Sequence, residues 1–280
     1  MPIVQHFCSA RLIAALLACA AGLVAFAKTP VLAFSPHPAQ VYREIRAVTD
    51  NAGPRLDRAA LKTERGSDHV VQARQLNDLG LLYQKQGRYA DAESLYQRSL
   101  AVLQKALGPN DPAVAASLGN LAALYQEEGR YTEAEDLSRR SVEILERALG
   151  PNHLAVAIEL HNLALVYERE HRDSEAEPVY QRALGILEQR LPSTYFGVAS
   201  ILNNLARLYY RQERYTDAEP LYRRSLTILE KTLGPAHPAV AESLRNLADL
   251  YRAEGRSAEA DAFSWRSDAI RESAHAPEGR

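Results

Sequence analysis

A regular set of polar side chains in this 280-residue sequence is a column at 42-residue steps: Asp78, Asn120, Asn162, Asn204 and Asn246. An amide carries two donors and an acceptor, so a ladder of amides can hydrogen-bond an extended peptide backbone at regular intervals. The same amides can instead bond neighbouring helices and lock them in place. Around the ladder stand Asn77, Asn203, Arg207, Tyr210, Arg211 and Arg245, which add further donors, an aromatic ring and positive charge. Arg74, Lys85, His161, Arg169 and Arg252 extend that set, while Glu127, Glu168, Glu242 and Asp249 offset part of its charge. As a binding surface, this group suits a peptide with acidic as well as apolar groups, held chiefly toward the third to fifth copies of the period. As ordinary solvated charges, it would show no ligand preference.

Other groups that could do chemistry carry less weight. His171-Arg172-Asp173 has the H-R-D form of a phosphoryl-transfer loop, but the leucine and asparagine that must follow are missing, as is a glycine-rich loop. His69, His153 and His237 recur near connections between apolar segments and suit capping; a metal site needs convergence that separate turns do not offer. H-E-x-x-H, G-x-S-x-G, G-x-x-x-x-G-K-[ST] and dinucleotide fingerprints are absent from the sequence. The expectation is a protein without catalytic residues, metal or cofactor.

Composition narrows the class further. Hydrophobic residues make up 46% and charged residues 24%, which argues against global disorder. A formal net charge of −2 gives no polyelectrolyte signal for nucleic acid. The first 27 residues read as an export signal: Arg11, then the uncharged run Leu12 to Phe26, then the small-x-small site Ala25-Phe26-Ala27 before Lys28. That run is shorter than the roughly 20 residues of a membrane-spanning helix. Cleavage after Ala27, retention as a short anchor, and lipidation at Cys19 are all readable from it. Both cysteines, Cys8 and Cys19, lie in this segment, so the remainder has no thiol. A periplasmic or secreted address is expected, with membrane anchoring through residues 12–26 as the alternative.

The elements that would position the ladder follow from the same period. Leu76-Asn77-Asp78-Leu79 returns as Leu118-Gly119-Asn120-Leu121, Leu160-His161-Asn162-Leu163, Leu202-Asn203-Asn204-Leu205 and Leu244-Arg245-Asn246-Leu247, always 42 residues on. Within copy two, Asp111-Pro112 is an N-cap followed by a first-turn proline. Val114, Leu118, Leu121, Leu124 and Tyr125 then recur at helical steps. Gly129-Arg130 ends this helix, and Thr132 to Glu135 has capping-box spacing for the next. Gly150-Pro151 stops the second helix. Each copy is therefore a helix–turn–helix hairpin, and hairpins that cannot bury their own stripes must stack. Two columns of small residues mark close approach: Gly80, Ala122, Ala164, Ala206, Ala248, and Ala92, Ala134, Ala176, Ala218, Ala260. Tyr83, Tyr125, Tyr167, Tyr209 and Tyr251 form a third column, expected to be structural, each hydroxyl finding a partner near the turn.

Leu76-x-x-Leu79-Gly80-x-x-Tyr83 followed by Ala92-x-x-x-Tyr96 resembles the tetratricopeptide (TPR) pattern, with leucine in the tryptophan slot. The 42-residue period, the Asn-Leu-Ala runs and Leu233-Gly234-Pro235-Ala236-His237-Pro238 are similar to the kinesin-light-chain type and its bacterial relatives. The resemblance implies an all-α fold, a right-handed α-solenoid of about five repeats over residues 68–272. Residues 28–67 would be an N-terminal linker with helical stretches at 40–48 and 55–61 forming a cap, and 273–280 a flexible tail. It also implies that the first helices line a concave face where the asparagines contact peptide. The expected role is a non-catalytic scaffold binding a peptide or protein partner outside the cytoplasm. The alternative is a structural, self-associating repeat module of an envelope assembly.

Overall fold

A computed structural model of the protein describes residues 64–191 and 196–275. The expected signal, the 40–61 cap, the Pro192 to Tyr195 connection and the last five residues lie outside the described residues. Among the described residues ten helices run in order: α1 (Glu64–Lys85), α2 (Tyr89–Leu107), α3 (Pro112–Glu127), α4 (Tyr131–Leu149), α5 (Leu154–Arg169), α6 (Asp173–Arg190), α7 (Phe196–Arg211), α8 (Tyr215–Leu233), α9 (Pro238–Ala253) and α10 (Ser257–His275). No strand occurs among the described residues. The helices form two compact units, α1–α3 up to Arg130 and α4–α10 from Tyr131. Within each unit, every helix packs on the next in sequence.

The hairpin turns share one backbone solution. Gly87, Gly129 and Gly255 adopt φ of 73, 77 and 76°, the left-handed region where glycine has no Cβ penalty. His171 and Glu213 fill the same slot at φ 58 and 59°, so the H-R-D tripeptide begins on a turn residue. The next residue is always arginine, and its N–H reaches back to the carbonyl of the column tyrosine, from Arg88 to Tyr83 through Arg256 to Tyr251. Its guanidinium then lies over that same ring, 3.7 Å from the centroid for Arg130 on Tyr125 and 4.1 Å for Arg256 on Tyr251.

This arginine–tyrosine pair also ties each hairpin to the one before it. Arg130 meets Glu93, Arg172 meets Glu135, Arg214 meets Glu177 and Arg256 meets Glu219. Tyr125, Tyr209 and Tyr251 donate their hydroxyls to Glu93, Glu177 and Glu219, at 2.7, 3.0 and 2.7 Å. The Tyr167 hydroxyl instead accepts from Arg139. The tyrosine column is structural, as its spacing suggests, and from Tyr125 onward its hydroxyl partner lies one hairpin back, a carboxylate for Tyr125, Tyr209 and Tyr251. The Thr132 capping box does not form: α4 begins at Tyr131, one residue ahead of Thr132, and Glu135 is taken by Arg172 and Arg139.

Between hairpins, Asp111 accepts from the Ala113 N–H, and His153 and His237 accept through Nδ1 from Ala155 and Ala239, 3.1 Å each. These histidines cap helices, which explains their period. The small-residue columns are buried throughout, with Ala164, Ala206, Ala176 and Ala218 at 0% exposure. At Gly80 the reason is direct, since a Cβ there would stand 2.7 Å from the Tyr96 ring.

Candidate functional site

In the second unit the first helices α5, α7 and α9 lie side by side, stitched by polar contacts between residues 39 to 43 apart. The Asn204 amide meets His161 Nε2 at 2.9 Å, and Asn246 Nδ2 donates to Asn203 Oδ1 at 2.8 Å. Asn162 lies 3.5 Å from Glu159 on its own helix. Asn162, Asn203 and Asn204 are 6%, 4% and 2% exposed. In the first unit, Asn77 donates to Ser117 at 3.1 Å, and Asn120 is buried.

The column is therefore not an open ladder. Of its two readings, the structure realises the stacking one at Asn204 and Asn246, and burial keeps Asn120 and Asn162 from the surface. The physical reason is the neighbouring first helix, which brings His161 and Asn203 within hydrogen-bond distance of Asn204 and Asn246.

The expected basic cluster is also rearranged. Arg207 donates through Nε and Nη2 to Glu168 Oε1 at 2.9 and 2.8 Å, and Arg211 donates to the same oxygen at 2.6 Å. The second Arg211 nitrogen reaches Asp173 at 2.7 Å. Glu168 Oε2 accepts from the buried Tyr180 hydroxyl at 2.8 Å. Burial pushes the Glu168 carboxyl up, but the charges of Arg207 and Arg211, with the hydrogen bonds from Arg211 and Tyr180, reverse this and hold it below the ordinary range. Two guanidiniums face two carboxylates, so this part of the wall is close to neutral. His161 lies against the Tyr180 ring, 5.8 Å between centroids, and burial lowers its pKa to about 4.

What remains toward solvent is a different subset. Tyr210 is half-buried and tilted against Tyr215, 5.7 Å between ring centroids. Arg245 is exposed and Arg169 half-buried, and neither forms a salt bridge among the described residues. Arg252 pairs with Asp249 and Ser264. Sequence spacing gave no sign that Glu168 would anchor both Arg207 and Arg211. The column to which it belongs reads Gln84, Gln126, Glu168, Tyr210 and Arg252, and after its two glutamines changes type at every copy. No group of three or more His, Cys, Asp or Glu residues converges for a metal among the described residues.

The stacked hairpins and their 42-residue period match the family model described as tetratricopeptide repeat over residues 71–146, 114–189 and 197–264, and the chain belongs to that family. Among solved structures, it is similar to TPR-like repeats of kinesin light chain type from Podosopora anserina, at 27% identity over 74% of this chain and 99% of that one, TM-score 0.63. BtubC (BKLC) from P. vanneervenii is 25% identical over 87% and 93% of the two chains, TM-score 0.69. MamA shares the fold alone, at 17% identity and TM-score 0.50. No curated protein matches. The repeat type read from the sequence is thus the observed one, and TPR repeats in general serve as protein-interaction scaffolds.

Proposed function

We propose that the protein is a non-catalytic scaffold that works outside the cytoplasm and holds a protein or peptide partner on the wall of α5, α7 and α9. The observation that carries this reading is the division of labour on that wall. Its amides and the Glu168 cluster are committed to the protein's own seams, which makes the surface rigid before any partner arrives. Arg169, Tyr210 and Arg245 remain turned outward, two cations and an aromatic ring suited to an acidic segment with an apolar side chain. Export is supported by Arg11, the Leu12 to Phe26 run, the Ala25-Phe26-Ala27 site and a remainder without cysteine.

The test is a crosslinking pull-down from the envelope fraction with the wild-type chain and with Arg169→Glu/Arg245→Glu. The expected result is a protein partner recovered by the wild type, with yield falling as salt rises and lost in the variant. Equal recovery by both chains would remove the wall from the account. Mass spectrometry of the exported chain should find an N-terminus at Lys28.

A further inference from the structure

The first and last described hairpins carry the two halves of the seam that joins neighbouring hairpins inside the chain, and among the described residues each half lacks its complement. On the first, Leu79 and Leu82 are 38% and 50% exposed. Their counterparts one to four periods on are buried: Leu121, Leu163, Leu205 and Leu247 at 6% or less, and Leu124, Val166, Leu208 and Leu250 at 0%. The same hairpin presents Tyr83 under Arg88, 3.9 Å from ring centroid to guanidinium carbon. Every later arginine of this column adds a carboxylate from the preceding hairpin, 37 residues back. Arg88 pairs only with Asp91 of its own helix among the described residues.

The complementary half is a helical stripe on each second helix. In α6 it runs Glu177, Gln181, Leu184, Glu188, and in α8 Glu219, Arg223, Leu226, Glu230. Glu177 receives Arg214 and Tyr209, Gln181 donates to Tyr209, and Glu188 receives Arg224, all from the following hairpin. In α10 the stripe reads Asp261, Trp265, Asp268, Glu272. Asp261 is exposed, with no hydrogen bond or ion pair among the described residues, and Trp265 is 75% exposed. An exposed tryptophan among carboxylates matches a partner that offers guanidiniums and apolar surface.

The geometry points to a second copy of this chain as that partner, its first hairpin docking on α10 of another molecule through the same contacts that join hairpins internally. Arg88 and Tyr83 of one copy would meet Asp261 of the next, Arg98 would meet Glu272, and Trp265, in the slot from which Gln181 reaches Tyr209, would lie against Tyr83 beside the exposed leucines. The chain's own preceding residues do not offer this match in the repeat register. One period before the α2 stripe stand Asn51, Arg55, Arg58 and Lys62, which would set positive charge against Arg88 and Arg98. Asp268 occupies the slot held by Leu100, Val142, Leu184 and Leu226, so the intermolecular seam is weaker than the internal ones and its assembly reversible. A head-to-tail seam is heterologous, so growth need not stop at two copies.

Sedimentation velocity of the chain from Lys28 onward, over about a hundredfold concentration range, tests this. The expected result is a mass that rises with concentration, falls with salt, and is reduced to the monomer by either Asp261→Arg or Arg88→Glu alone. Mixing those two variants sets opposite charges together at both kinds of junction, one native and one swapped, and should restore the concentration-dependent association. Asp268→Leu should tighten the wild-type association by about tenfold. A wild-type chain that stays monomeric throughout would overturn the proposal, with the leucines then covered from within or simply solvated. So would an association that neither charge reversal alters.

Discussion

Replacing Glu168 with glutamine removes one charge from the most deeply buried ion cluster of the second unit and keeps its shape. Its side chain is 5% exposed, while Arg207 and Arg211 are 26% and 31% exposed. Three guanidinium N–H groups converge on Oε1 within 2.9 Å. Removing one member of a fully buried pair typically costs about 3–5 kcal/mol, because the other charge is left uncompensated. Both arginines here keep a partial route to water, and Arg211 retains Asp173, so the figure for Glu168→Gln falls to about 2–3 kcal/mol. Glutamine can still accept from the arginines, but its amide must then turn toward the Tyr180 hydroxyl.

The control is Glu143→Gln. Glu143 pairs with Arg147 on the surface of α4, with the two side chains 60% and 70% exposed. That pair is worth at most about 0.5 kcal/mol. Urea unfolding followed by helical circular dichroism at neutral pH should therefore separate the two substitutions by several-fold. If Glu168→Gln and Glu143→Gln shift the midpoint equally, the buried cluster does not hold α5 to α7 and the wall is not rigid in the sense argued above.

Three further outcomes follow from named contacts. His161 is neutral when folded, with its pKa lowered to about 4 by burial, so its contribution is full above its ordinary value and is lost as pH falls toward 4. Linkage gives a loss of about 2.5 kcal/mol at pH 4.5, and the wild type should lose that much more stability than His161→Gln between pH 7 and 4.5. Tyr251→Phe removes the 2.7 Å bond to Glu219 and should cost about 1 kcal/mol, read as an earlier loss of α9 and α10 amide protection in hydrogen exchange. Gly80→Ala sets a Cβ against the Tyr96 ring and should destabilise by about 1–2 kcal/mol despite the better helix former, with the loss reduced in a Tyr96→Ser background. Absence of that coupling would show the ring moves aside freely.

Much of this architecture is legible in the sequence because it rests on periodic residues. A leucine or alanine that must be buried in every hairpin appears in every copy, and so do the tyrosine of the first helix and the arginine of the turn. Local chemistry explains the capping roles of Asp111, His153 and His237 equally well. The wall is less legible. Whether Asn204 points to a ligand or to His161 depends on a residue 43 positions earlier and on a helix rotation of a few tens of degrees. No pattern within one copy encodes either. The Thr132 box failed for a related reason: its glutamate had a stronger partner, Arg172, in the next hairpin.

That contrast bears on where specificity can reside. The Arg–Tyr–Glu ties repeat at Glu93, Glu135, Glu177 and Glu219, so they hold each seam alike and distinguish none. For the partner proposed above, discrimination must come from positions that change type from copy to copy, and on the wall these include the columns of His161, Glu168, Arg169 and Arg207. Of those, Glu168 and Arg207 cancel each other and His161 is buried. Under the function proposed above, selectivity is thereby left to the outward-turned Arg169, Tyr210 and Arg245. Substitutions in the repeated ties should weaken the fold without changing which partner is held, whereas substitutions in those three should change the partner at nearly constant stability. A pull-down paired with a melting curve for each variant tells the two apart; a tie substitution that changed partner identity at unchanged stability would break the division.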